Sequence, residues 1–174
     1  MSSVLSRPQA TSLRKFSETD LKGVINLYRQ GFGGPPWNLE FTAQWVEDEI
    51  RKIRKAPESH MIVAVSGPKV IAISAAHVLD QNEFPFLSSV LRGSKTAYGA
   101  ALVVDEEHRR TGIASKLVGE RVPFFAKRGC DLMVGRTKNP RMENLYHELG
   151  YTNTGIRDPK YPDSSYFLLE IKRS

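Results

Sequence analysis

The sequence predicts a mixed α/β fold, α+β in detail, in three layers: a central mixed sheet flanked by helices. Three observations carry this. Two β-branched-rich runs, His60–Val65 and Val70–Val78, are joined by Ser66-Gly67-Pro68-Lys69 and read as an antiparallel hairpin. The succession of Tyr98–Val104, Gly112–Lys127 and Leu132–Val134 reads as strand, helix, strand, which implies parallel pairing in the second half. The chain has 174 residues, 40% hydrophobic and 25% charged, enough for one compact domain with a real core and hardly enough for two.

In chain order, residues 1–12 are polar, include a proline, and are expected to form a flexible tail before a single domain over 13–172. Leu13–Phe16 forms a short strand. Ser17 caps a helix, with Asp20 in its first turn and Leu21, Val24, Ile25 and Tyr28 at helical spacing. The turn residues Gly31, Gly33, Gly34, Pro35 and Pro36 stop it. Thr42 caps a second helix carrying Trp45, Val46, Glu49, Ile50 and Ile53, which ends at Ala56-Pro57. After the hairpin, a loop contains Asn82, Pro85 and Gly93. In the helix from Gly112, Pro123 is expected to kink or shorten the rod. Pro140–Leu149 is a helix with proline in its first turn, closed by Gly150. Tyr151–Ile156 and Tyr166–Ile171 alternate as strands.

Composition narrows the function classes. A single cysteine, Cys130, rules out an internal disulfide and suits a reducing compartment. The opening residues lack the apolar core of a signal peptide, and no apolar run approaches the roughly 20 residues of a membrane helix. A cytoplasmic protein without membrane attachment is therefore expected. Between His108 and Arg141 stand nine basic residues and two acidic ones, 9 − 2 = +7, against +6 for the whole chain. Such a field favours an anionic partner, although a solvated basic face gives the same count. Nucleic acid is not the expected partner, because the charges gather around a helix N-terminus rather than along one helix face.

The string His108-Arg109-Arg110-Thr111-Gly112-Ile113-Ala114 follows the apolar run Ala101–Val104 and opens a helix. A helix start leaves backbone N–H groups without partners and carries a positive dipole end. Gly112 permits close backbone approach, and Ala114 keeps the next position small. Arg109 and Arg110 add charge, and Thr111 and Ser115 add hydroxyls. The string is neither a Walker A loop nor a three-glycine dinucleotide fingerprint. A pyrophosphate is a ligand these groups can hold.

Leu102-Val103-Val104-Asp105-Glu106-Glu107-His108-Arg109-Arg110-Thr111-Gly112-Ile113-Ala114 resembles the acetyl-CoA-binding segment of the GNAT family, the Gcn5-related N-acetyltransferases. Arg109, Gly112 and Ala114 fill the family's (Arg/Gln)-x-x-Gly-x-(Gly/Ala) places, while Glu106 stands where many members have proline. A second signature matches at Asn139, Tyr146, Gly150 and Tyr151, and the resemblance covers roughly residues 13 to 172. It implies a three-layer acyl-CoA N-acyltransferase fold and an acetyl-CoA-dependent N-acetyltransferase acting on a primary amine of a small molecule or protein. The other reading is a non-catalytic acyl-CoA-binding or sensor module.

The resemblance also assigns residues. Leu102, Val103 and Val104 pair with the pantetheine arm. The N–H groups from Arg109 or Arg110 through Thr111, Gly112, Ile113 and Ala114 to Ser115 hold the pyrophosphate. Asn139 bonds the cofactor arm, and Tyr146 protonates the departing thiolate. Lys116, Lys138 and Arg141 are candidates for the 3′-phosphate. The base is chosen from Glu83 and Glu106, with Glu40, His77, Asp80 and Tyr98 as further candidates. Trp37 and Tyr98 are expected to wall the acceptor site, though Trp37 could equally staple its loop to the core. The acceptor and the oligomeric state are not read from the sequence, and a homodimer stays open.

Overall fold

The computed structural model describes residues 10–172. Seven strands and five helices follow one another as β1 (Thr11–Lys15), α1 (Leu21–Gly33), α2 (Ala43–Lys55), β2 (His60–Ser66), β3 (Lys69–Val78), α3 (Ser88–Leu91), β4 (Thr96–Val104), α4 (Ile113–Ala126), β5 (Leu132–Thr137), α5 (Pro140–Glu148), β6 (Thr152–Arg157) and β7 (Ser165–Glu170). The strand order is β1-β2-β3-β4-β5-β7-β6. Only β4 and β5 run parallel; every other neighbour pair is antiparallel. The expected mixed sheet is therefore present.

Alternation along β3 and β4 sorts the two faces. Ile73, Ala75, Ala101 and Val103 pack under α1 and α2 with Val24, Val46 and Ile50. Ala76, Ala97 and Met133 pack against Val118 and Phe125 of α4 and Tyr146 of α5. The site therefore lies where both layers meet the middle strands.

The start of α1 is fixed by charge. The Asp20 carboxylate accepts from the Ser17 N–H at 2.8 Å and from both guanidinium nitrogens of Arg14 at 2.7 Å. That pairing with Arg14 holds the Asp20 carboxyl below its ordinary range. Thr42 caps α2 by accepting the Trp45 N–H at 3.1 Å.

Three expectations need correction. The first strand begins at Thr11, inside the segment expected as a tail; residues 1–9 of that segment lie outside the described residues. The loop after β3 is not structureless: it folds into short 3₁₀ turns and α3 because Leu79, Leu87 and Leu91 are buried against Leu132, Val134 and Tyr166. Pro123 does not shorten α4, which runs on to Ala126. The carbonyl that Pro123 leaves without a donor belongs to Gly119, and both residues lie on the exposed side, where an unpaired carbonyl is open to solvent and costs little.

Candidate active site

The sheet opens at its centre. Ala75 pairs with Ala101 but Ala76 pairs with Gly99, so Ala100 is an extra residue in β4, a β-bulge. The parallel pairing with β5 covers Thr96–Gly99 and stops there. Beyond the bulge, Asp105 donates its N–H to the Ile71 carbonyl at 2.8 Å. Hydrogen-bonded positions alternate in an antiparallel pair. With Ile73 opposite Val103 and Ala75 opposite Ala101, those β4 residues turn their main-chain groups towards β3. Leu102 and Val104 turn theirs to the side that β5 has left. The result is a free strand edge in mid-sheet, open to an extended ligand.

The turn after this edge is held by its own side chains. Asp105 accepts from His108 Nδ1 at 2.8 Å and lies 3.5 Å from Lys69 Nζ. Burial disfavours the Asp105 charge, but these two partners outweigh it and keep the carboxyl below its ordinary range. Arg109 reaches back to donate from Nε to the Val104 carbonyl at 3.3 Å. Arg110 and Gly112 both take positive φ, 62° and 82°, and so fold the chain sharply into α4. The first helical bond runs from Lys116 N–H to the Gly112 carbonyl, so the N–H groups of Ile113, Ala114 and Ser115 have no helical partner.

A hollow of about 650 Å³ lies over this helix start, and Leu102, Val103, Val104, Arg109, Arg110, Gly112, Ile113, Ala114 and Ser115 all line it. Thr111 does not: its hydroxyl donates to the His108 carbonyl at 2.6 Å, so it braces the turn instead of offering a ligand contact. Asn139 closes the other wall. Its side-chain oxygen accepts the Arg141 N–H at 3.0 Å, capping α5 and leaving the amide NH₂ as its ligand donor. Of the three cations considered for a 3′-phosphate, Arg141 lines this hollow, Lys138 lines the neighbouring cleft and Lys116 lines neither.

That neighbouring cleft measures about 1030 Å³. It shares Phe32, Trp37, Leu102, Asn139 and Met142 with the first hollow, so the two form one continuous groove. Trp37 thus stands at the junction, 5.5 Å from the Phe32 ring and 5.5 Å from the Lys138 ammonium. Tyr98, His77, Asp80 and Glu83 all line the cleft. Glu40 and Glu106 do not. Glu106 lies in the exposed 3₁₀ turn before Arg109, so the expectation of a base there is withdrawn.

Tyr146 of α5 is buried over β5 and β7, stacked on Phe167 at 5.2 Å. Its hydroxyl occupies space that only Gly135 leaves free: a Cβ at that glycine would lie 2.0 Å from it. Burial raises the pKa of the phenol, and the Arg121 charge works in the opposite sense. Tyr146 therefore holds a proton at any ordinary pH.

Arg121 was not singled out in the sequence. It is fully buried, donates from Nε to Ser74 Oγ and from Nη2 to the Ala101 carbonyl, both at 2.8 Å, and so pins the bulge from beneath. Gly99 gives it room, since a Cβ there would sit 2.5 Å from Nη1. An arginine at the inward spacing of Leu117, Val118 and Phe125 was the available signal. A glycine inside each of two strands was another. Glu49 was also passed over, although it sits at core spacing in α2 and lines the cleft.

A cradle of N–H groups, a free strand edge leading away from it and a buried tyrosine at the far end form a groove that suits an extended, phosphate-bearing ligand. The Acetyltransferase (GNAT) family description matches residues 21–151, and the chain belongs to that family, whose cofactor is acetyl-CoA. The free β4 edge and the unpartnered N–H groups at the start of α4 fit that cofactor. Among relatives, a probable N-acetyltransferase, HLS1, of Arabidopsis thaliana is 28% identical over 149 residues. That match spans 78% of this chain and only 37% of the longer relative. An uncharacterized N-acetyltransferase, YkwB, of Bacillus subtilis is 23% identical, with 95% of this chain and 79% of the relative covered. The crystal structure of Arabidopsis thaliana NAA60 in complex with acetyl-CoA shares the fold, with a TM-score of 0.69, 17% identity, and 93% and 99% of the two chains covered. No helix among the described residues is long and apolar enough to cross a membrane.

Proposed function

We propose that the chain is an N-acetyltransferase that transfers the acetyl group of acetyl-CoA to a primary amine of a small molecule or protein by direct attack on the thioester. One observation carries the reading: the free edge at Leu102 and Val104 runs from the N–H cradle to Tyr146, where the wide cleft begins. Acetyl-CoA supplies an acetyl group activated as a thioester.

The residues then divide the work. The N–H groups of residues 113–115 hold the pyrophosphate, with the charge of Arg109 and Arg110 around it. Leu102 and Val104 fix the pantetheine arm as an added strand would be fixed, and the Asn139 NH₂ donates to it. Tyr146 gives its proton to the sulfur as the C–S bond breaks. The proton lost by the attacking amine goes to a base in the cleft. His77 is best prepared for this. Its Nδ1 lies 2.8 Å from the Val78 carbonyl, an acceptor only, so Nδ1 carries hydrogen and the neutral ring would present its lone pair at Nε2. Glu83 lines the same cleft from the exposed 81–83 turn and is the alternative base.

Tyr146→Phe tests the assignment. Acid catalysis contributes on the order of 10²- to 10⁴-fold, so kcat is expected to fall by at least about 100-fold while the affinity for CoA stays within twofold. Unchanged kcat removes the acid role. Wild-type protein that binds CoA but acetylates no amine in a broad panel is the acyl-CoA-binding module instead.

A further inference from the structure

The acceptor end of the cleft has a chemical bias of its own. Between α1 and α2 the rings of Tyr28, Phe32, Phe41 and Trp45 form one cluster. Phe41 and Trp45 stack at 4.1 Å and 8°, and Tyr28 lies 4.5 Å from Phe32 and 6.4 Å from Trp45. Trp45 is 41% exposed, an unusual amount for so large an apolar ring, and it faces this cleft. Its rings alone do not require an occupant. Glu49 adds the second observation. It stands four residues after Trp45, on the same face of α2, half-buried and lining the same cleft.

The other glutamate of α2, Glu47, pairs with Arg51. Glu49 has no ion pair and no side-chain hydrogen bond among the described residues. Its charge nevertheless reaches the phenols of Tyr28 on α1 and Tyr98 on β4. Lys52 and Lys55 of α2 also border the cleft, but both are exposed and neither is within 4 Å of Glu49. On the opposite wall Arg136 of β5 is already engaged, 3.2 Å from Asp158 and 4.7 Å from the Tyr161 ring. A half-buried carboxylate without an ion-pair or hydrogen-bond partner among the described residues, one helical turn from the exposed Trp45 ring, is a site for a cation: charge meets charge, and ring faces attract ammonium.

We infer that Glu49 receives the acceptor as an ammonium ion, which releases one proton to solvent before the neutral amine attacks and yields the second to the cleft base, and that Tyr28, Phe41 and Trp45 select an amine carried on an apolar or aromatic body. This rests on the acetyl-transfer reading above for the identity of the ligand as acceptor. The site takes aryl-alkyl or alkyl primary amines, including the amine of a protein segment with a large apolar side chain, in preference to hydroxyl-rich amino sugars. The aromatic walls hydrogen-bond few hydroxyls, so an amino sugar would leave its own polar groups without partners.

The test uses 2-phenylethylamine, ethylamine, glucosamine and 2-phenylethanol, with the full chain. Steady-state kinetics are expected to give 2-phenylethylamine a KM at least tenfold below that of glucosamine. Glu49→Gln raises that KM by about 10- to 100-fold, with KM for acetyl-CoA unchanged within twofold, which also shows that the fold is intact. Trp45→Ala raises KM for 2-phenylethylamine but not for ethylamine. Calorimetric titration of the same compounds onto CoA-loaded protein reads binding without turnover. It is expected to show 2-phenylethylamine bound, 2-phenylethanol at least tenfold weaker, and the difference erased in Glu49→Gln. Binding with this pattern but no acetylation upholds the cation site and overturns the acetyl-transfer reading. Acetylation with an unchanged amine KM in Glu49→Gln does the reverse. Preference for glucosamine, or no binding of 2-phenylethylamine by the wild type, overturns the inference.

Discussion

The two halves of the groove are made of different material. The cofactor side is main chain: a strand edge at Leu102 and Val104 and a helix start at residues 113–115, with side chains bracing the turn from behind. The wide cleft, proposed above to take the acceptor, is side chain: Tyr28, Glu49, His77, Tyr98 and Arg136 arrive from five separate elements. Main-chain recognition tolerates sequence change so long as the backbone path is kept. Side-chain recognition changes with each substitution. On this reading each half fails in its own manner when altered.

The sharpest break falls where the halves meet. Gly135→Ala places a methyl group 2.0 Å from the Tyr146 hydroxyl, and the closest atoms include the ring itself, so the phenol must move off its position. We expect kcat to fall by about 100-fold, the low end of an acid contribution. The double variant Gly135→Ala/Tyr146→Phe is expected to be no slower than either single variant, because both remove the same function. Multiplying effects in the double variant would show that Gly135 acts elsewhere.

Next in size is Gly112→Val. A Cβ at Gly112 meets nothing within 4 Å, so the cost is not a clash inside the fold. It lies in holding a β-branched residue at φ 82°, roughly 1–3 kcal/mol, and in a side chain entering the cradle. CoA affinity measured by calorimetry should drop about tenfold or more, while the acceptor side keeps its preferences among amines. A changed amine preference would mean that the halves are not independent.

The opposite half is probed by Leu87→Ala. Leu87 is fully buried beneath the 79–95 segment that walls the cleft. Removing it costs about 2–5 kcal/mol, on the order of 10 °C in Tm for a chain of this size. KM for the amine should rise severalfold and KM for acetyl-CoA should not. Equal rises in both would show that the wall supports the cofactor side too.

The same contrast explains what the sequence disclosed. The helix starts were legible because backbone demands leave residue signatures, Gly112 and Ala114 before α4 and Pro140 in the first turn of α5, whereas their reading as a cofactor cradle came from the family resemblance. The element order followed from the periods of two and 3.6. The cleft was legible only in fragments, because the convergence of residues 28, 49 and 98 on one cleft depends on how helices are laid across a sheet, which periodicity does not state. Glu106 was one of several carboxylates that the sequence offered as a base; in the structure it lines neither hollow, although His108 of the same turn does. Arg121 stayed hidden because a buried guanidinium bound to a hydroxyl and a carbonyl has no partner motif to announce it.

The smallest expected effect separates field from backbone within the cradle itself. Arg110 lines the hollow and adopts φ 62°, a strained conformation for a residue with a side chain. Arg110→Gly removes the charge and relieves that strain together. If main-chain N–H groups hold the phosphates, CoA affinity should stay within about twofold, and stability should rise slightly, by up to about 1 kcal/mol. Arg110→Ala removes the charge but keeps the strain, so it should bind CoA equally well without the gain in Tm. Were the arginine a direct phosphate ligand, both variants would lose roughly tenfold or more in affinity, as expected for a charge-assisted bond of 1.5–3 kcal/mol. The loss would shrink with added salt. Equal loss in both variants would move the cradle from main chain to side chain and dissolve the contrast between the two halves of the groove.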